Sequence, residues 1–244
     1  YDYALVHLFE ESPEYLELFK KALESGREVI LDNSIFELGS AFDMEKFAGW
    51  TTEIKPTWYI IPDALEDSLE TRMNAVQWNA HYRNQVPGKC IGVVQGRTYQ
   101  DIIDCYQFLD KEIDVDMIAI SFDYSYYEQE CPHENKLISW MLGRINLLHR
   151  MYREGYINEK KPHHLLGCAL PQEGLYYRDL PFIYSMDTSN PVVHGIKGIL
   201  YKQGQGLWSK ASQKLFEMIN QPKDDSMLPL ISHNVEDFRR FWND

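Results

Sequence analysis

Short runs of apolar and β-branched residues alternate along this chain with apolar positions spaced three and four apart. The runs at 3–8, 28–32, 57–61, 89–94, 116–120, 164–169 and 182–186 predict strands, with a weaker eighth at 195–200. Five of them are continuously apolar rather than alternating, the pattern of a strand covered on both faces, as in a parallel sheet. Between them lie helical stripes: Leu16, Phe19 and Leu23; Leu69, Met73, Val76 and Ala80; and Leu137, Met141, Ile145, Leu148 and Tyr152. Ser12-Pro13-Glu14 predicts a capped helix start with proline at the first helical position.

The repeat length points to a fold. Asp32, Asp63 and Gln95 each follow a strand directly and stand about 30 residues apart, the length of one βαβ unit. Eight such strands in 244 residues predict an α/β fold of the (β/α)8 TIM-like barrel type, with an open doubly wound sheet as the alternative. The barrel is expected over 1–220, with a helical extension at 221–244 packing on it. No glycine-rich dinucleotide or P-loop motif appears.

Composition narrows the class. Hydrophobic residues are 44% and charged residues 25%, which excludes a disordered or collagen-like chain. No apolar run has the length of a membrane helix, and residues 1–8 lack the basic and apolar regions of a secretory leader. The four cysteines lie far apart without CxxC spacing, the pattern of reduced thiols in a cytoplasmic protein rather than of a zinc site. Cys131-Pro132-His133 is the one close Cys/His pair, and no metal or cofactor is expected.

Residues at the C-terminal ends of parallel barrel strands line active sites. Here those ends read Leu31-Asp32-Asn33-Ser34-Ile35-Phe36, Ile61-Pro62-Asp63, Val94-Gln95-Gly96, Ile120-Ser121-Phe122-Asp123, Leu166-Gly167-Cys168 and Met186-Asp187. An aspartate after a strand commonly caps the next helix. Asp32, Asp63 and Asp187 at one sheet end also suit acid–base and nucleophilic work, because converging carboxylates perturb each other. Residues 123–130 are expected to form an exposed, Tyr-rich acidic loop. His7 is expected to end the first strand in a structural role.

These segments, in this order, resemble the tRNA-guanine transglycosylase superfamily. Gly92-Val93-Val94-Gln95-Gly96 is similar to the family's G-[IV]-V-Q-G, whose Gln reads the base. The 29–39 segment resembles the family's Asp followed by small residues and an aromatic, which maps to Asp32 and Phe36. Pro62-Asp63 resembles its second, base-binding Asp. Ala119-Ile120-Ser121-Phe122 sits where the family has A-I-G-G lining the pocket. HHLLGCALP, starting at His163, resembles Y-L-M-G-V-G-T-P, and Ser185-Met186-Asp187 resembles the nucleophile strand. Three features depart from the tRNA enzymes, one being that Thr188-Ser189-Asn190-Pro191-Val192-Val193-His194-Gly195 replaces the Arg-containing segment that follows their nucleophile. No cysteine follows Cys168, so their zinc element is missing, and Ser34 and Ile35 replace their glycines. The compact, zinc-free relatives that insert 7-deazaguanine bases into DNA are the nearer likeness.

The resemblance implies a pentosyltransferase that cleaves an N-glycosidic bond. Asp187 would attack the sugar's anomeric carbon and form a glycosyl-enzyme. Asp32 would move protons, Asp63 and Gln95 would read the base edge, Phe36 would stack on it, and Gly96, Ser121, Phe122 and Gly167 would line its pocket. The partners implied are nucleic acid with a flipped-out nucleotide, DNA favoured over tRNA, and a free deazapurine base. Three alternatives stand beside it: a glycosylase that hydrolyses a modified base out, a barrel enzyme acting on a small sugar or nucleoside, and an inactive binding subunit. Self-association or a partner subunit stays open.

Charge sharpens the nucleic-acid question. The net charge of −13 rules out a broadly basic coat. Yet residues 188–216 contain no acid and hold Lys197, Lys202, Lys210 and Lys214, so this stretch is +4 and the rest −17. These lysines and Asn190 are the expected nucleic-acid contacts, and the glycines of Lys202-Gln203-Gly204-Gln205-Gly206 suit a close phosphate approach.

Overall fold

A computed structural model describes residues 1–202, 206–211 and 224–243 of the chain. The elements are β1 (Asp2–Leu5), α1 (His7–Glu11), α2 (Pro13–Glu24), β2 (Val29–Asp32), α3 (Ile35–Leu38), α4 (Met44–Ile54), β3 (Trp58–Ile60), α5 (Ser68–His81), β4 (Lys89–Val94), α6 (Tyr99–Gln107), β5 (Met117–Ser121), α7 (Ser125–Glu130), α8 (Lys136–Arg153), β6 (His163–Leu166), β7 (Ile183–Met186), α9 (Asn190–Ile196) and α10 (Leu228–Asn243). The strands are hydrogen-bonded in chain order from β1 to β7. The pairs from β1–β2 to β4–β5 are parallel, with Tyr3 opposite Ile30, Ile30 opposite Trp58 and Ile91 opposite Met117. The fold is therefore α/β. No described helix is long and apolar enough to cross a membrane.

Two compact units divide the chain. The first comprises Tyr1–Ile120 with Lys160–His164, the second Ser121–Glu159 with Leu165–Asp244. In the first, Val29, Ile30 and Leu31 of β2 are all buried, as a strand covered on both faces requires. Helix starts follow local chemistry. The Ser12 Oγ accepts from the Tyr15 N–H at 3.2 Å, with Pro13 opening α2. Asp43 and Asp67 cap α4 and α5, and Thr98 with Asp101 forms a capping box on α6.

α5 corrects one expectation. Leu69, Met73 and Val76 are exposed, and the helix buries Ser68, Thr71, Ala75 and Trp78 instead. Both faces have helical spacing, and the Trp78 ring decides between them. It lies 5.4 Å from Phe47, 5.6 Å from Tyr59 and 5.2 Å from Tyr82, centroid to centroid. Burying an indole removes more apolar area than burying any one residue of the rival stripe, and small Thr71 and Ala75 let the helix come close.

The second unit corrects two more. Residues 123–130 are not an exposed loop: α7 forms there and buries Tyr126 and Tyr127. Tyr127 packs where Gly143 of α8 has no side chain, and its hydroxyl donates to the Ser121 carbonyl at 3.0 Å. The eighth strand predicted over 195–200 is absent. Gly195 and Ile196 close α9, which Pro191 helps to start. The backbone beyond it is tied by a side chain rather than by a ladder. Asn234 Nδ2 donates to the Ile199 carbonyl at 2.9 Å, and its Oδ1 accepts from the Tyr201 N–H at 2.9 Å. α10, which carries Asn234, packs on α9, and Gly195 leaves room for Ile231. Phe238 joins Cys168 and Tyr201 in a small core.

Candidate active site

None of the three aspartates caps the helix that follows it. α3 and α9 start at Ser34 and Ser189 without a side-chain cap bond, and α5 is capped by Asp67. Asp32 ends β2, Asp63 lies three residues past β3, and Asp187 directly follows β7.

In the first unit, Asp32, Asn33, Asp63 and Gln95 are all buried. Asp63 accepts from Asn33 Nδ2 at 2.7 Å on one oxygen and from Gln95 Nε2 at 2.6 Å on the other. Each amide is oriented by its far end. Asn33 Oδ1 accepts from the Ile35 N–H at 2.9 Å, and Gln95 Oε1 accepts from the Glu66 N–H at 2.8 Å. Both amide nitrogens must therefore face the carboxylate. Burial nonetheless pushes the Asp63 carboxyl up to about 6, against the pull of those two donors. Ser34, at φ 63°, turns the chain left-handed after Asn33, and its Oγ lies 3.4 Å from the His7 N–H. His7 opens α1 rather than ending β1. The Phe36 ring is 58% exposed at the start of α3. Gly96 is buried against the start of α6, where a Cβ would come within 2.8 Å of Asp101 and Ile102.

In the second unit, Asp187 follows β7, and its Oδ1 accepts from the Gly167 N–H at 3.0 Å. Gly167 has φ 63°, and a Cβ there would overlap the Phe122 ring; only glycine fits. Phe122 is buried edge-on to Trp140, ring centroids 5.3 Å apart. The Ser121 hydroxyl donates to Asp123 at 2.7 Å. Lys210 stands over the Phe122 ring, 3.4 Å from its centroid, and donates to the Cys168 carbonyl at 2.8 Å. Burial pushes its ammonium down to about 8, with Asp187 and Asp123 among the charges acting the other way.

The expected basic strip is therefore smaller than its lysine count. Lys197 and Lys202 are exposed. Lys210 is turned inward, because its ammonium finds a carbonyl and an aromatic face there. Asn190 is fully buried and offers no surface to nucleic acid. Lys214 and residues 203–205 lie outside the described residues.

Three polar residues beyond those expected belong to these groups. Asn33 adjoins Asp32 in the sequence. Arg144 and Glu173 form a fully buried ion pair, Nε to Oε1 at 2.6 Å and Nη2 to Oε2 at 3.0 Å. The signal for Arg144 was an arginine three residues after Met141 and four before Leu148, on the buried face of α8. No protein-family model matches this chain, and no curated protein sequence matches it at a significant level.

Proposed function

We propose that this chain is a nucleic-acid base-exchange enzyme, a pentosyltransferase that replaces a purine with a 7-deazaguanine-type base through an Asp-linked glycosyl intermediate, on a (β/α)8-type scaffold. The observation that carries the reading is that Asp32 ends β2, Asp63 and Asp187 follow β3 and β7, and none of them caps the helix that comes after it. The rest comes from the likeness of the surrounding segments to the transglycosylase motifs.

In this mechanism the Asp187 carboxylate attacks C1′ of a flipped-out nucleotide. The C1′–N bond breaks, and its electron pair leaves with the base, which takes a proton from Asp32. The Gly167 N–H keeps the attacking carboxylate oriented. The incoming base then gives a proton to Asp32 and displaces Asp187 from C1′, which restores the carboxylate. Phe36 would stack on the base. Asp63, with a raised carboxyl and spare lone pairs, would meet its hydrogen-bonding edge, with Gln95 fixed beside it. DNA is the favoured substrate, because the cysteine set of the tRNA-acting relatives is missing after Cys168.

The test is incubation with labelled 7-deazaguanine and DNA or tRNA, followed by nucleoside mass analysis. Label in DNA with the native chain, and none with Asp187→Asn, is the expected outcome. Base release without incorporation would mean hydrolysis instead. Base release or covalent trapping that persists in Asp187→Asn would overturn the nucleophile assignment.

A further inference from the structure

The turn after β6 has an unusual electrostatic setting. Three successive carbonyls accept from cations: Leu166 from Arg144 Nη1 at 3.0 Å, Gly167 from Arg144 Nη2 at 2.9 Å, and Cys168 from Lys210 at 2.8 Å. The Leu166 carbonyl and the Gly167 N–H belong to one peptide group. The guanidinium pulls on one end of that group while the other end donates to Asp187 Oδ1 at 3.0 Å. A hydrogen bond accepted at the carbonyl polarises the peptide and strengthens its N–H as a donor, more so when the partner is charged and the site is dry.

We infer that Arg144 is a positioning residue for Asp187: its buried charge, anchored by Glu173, acts through the single 166–167 peptide group to hold and stabilise the nucleophile's carboxylate. This rests on the reading of Asp187 as the nucleophile. Several contacts fix the arrangement. Glu173 holds the guanidinium with both oxygens and also accepts from the Tyr177 hydroxyl at 2.5 Å. The left-handed Gly167 turns its N–H toward β7 while its carbonyl stays on Arg144. A lysine at 144 keeps the charge but lacks the planar fork needed to serve a carboxylate and two carbonyls together.

The experiment uses the full chain with Arg144→Lys and the double variant Arg144→Met/Glu173→Gln, which removes both buried charges and so keeps the interior neutral. Labelling with 13C-leucine and 15N-glycine selects the amides of the three Leu-Gly pairs, at Gly39, Gly143 and Gly167. Gly143 adjoins the substituted position, and Gly167 is recognised by its response to Asp187→Asn. The expected result is an upfield move of the Gly167 amide in both Arg144 variants. With it, kcat for base exchange falls about tenfold, the loss of one charge-assisted bond, while KM and nucleic-acid affinity stay unchanged. A folded double variant with native kcat and a native Gly167 amide overturns the inference. So does a kcat loss accompanied by an equal loss of DNA affinity. If the native chain exchanges no base on any nucleic acid, the nucleophile reading fails, and the amide shift alone still decides whether Arg144 acts on Gly167.

Discussion

Gly167 and Asp63 show how single positions are constrained by their surroundings. At Gly167 two penalties coincide, a left-handed backbone and a ring where a Cβ would stand. Gly167→Ala is expected to cost about 1–3 kcal/mol in urea unfolding, without regard to any function. Asp63 has a carboxyl raised to about 6 by burial. Between about pH 4 and 6 the folded chain holds a proton there that the unfolded chain has released, so this group's contribution to stability falls as pH rises through that window and is level above it. Asp63→Asn cannot titrate. Relative to the native chain its stability should therefore rise by about 2–3 kcal/mol between pH 4 and pH 7, read as the difference between two urea midpoint series. A constant difference across that range would mean that Asp63 stays ionised.

In α5 the choice of face rests on one residue. Trp78→Ala should cost about 3–5 kcal/mol, because the Phe47, Tyr59 and Tyr82 rings would line a cavity. Met73→Lys, on the exposed stripe, should stay within about 0.5 kcal/mol. Thermal unfolding of the two variants checks which face is buried. α7 and the segment after α9 show the same override. A tyrosine-rich acidic run becomes a packed helix because Gly143 admits Tyr127. The 195–200 run forms no strand, because Gly195 and Ile196 close α9 and Asn234 bonds the Ile199 carbonyl.

Taken over the whole chain, a net charge of −13 leaves little to attract a polyanion, and Lys210 is drawn inward. Among the described residues of the 188–216 stretch, Lys197 and Lys202 remain exposed. Binding to DNA of random sequence should therefore be weak and salt-dependent. In Lys197→Ala/Lys202→Ala the slope of log K against log salt should shrink by about two, measured by fluorescence anisotropy over a salt series. A slope equal to that of the native chain would exclude both lysines from phosphate contact.

The order of the seven strands, and α2, α5 and α8 between them, was legible in the amino-acid sequence because continuous apolar runs and three-to-four spacing are local properties. The start of α2, the 89–94 strand and the helical C-terminal segment needed nothing more. So was the placing of Asp32, Asp63 and Asp187 after strands, since a strand's end is marked where its apolar run stops. What those aspartates do next was not legible. A carboxylate after a strand has the same local sequence whether it caps a helix or faces a partner from another element. Only the tertiary structure supplies Asn33 and Gln95 to Asp63, and Gly167 to Asp187. It also decided which of two equally periodic faces of α5 is buried, and that the eighth run is not a strand. Lys210 and Arg144 changed meaning in the same way: a lysine in a basic stretch and an arginine in an apolar stripe became neighbours of one turn. Charge and periodicity are summed along the chain, but burial and hydrogen-bond partners are set by residues far away in it, and those partners decide the chemistry of the site.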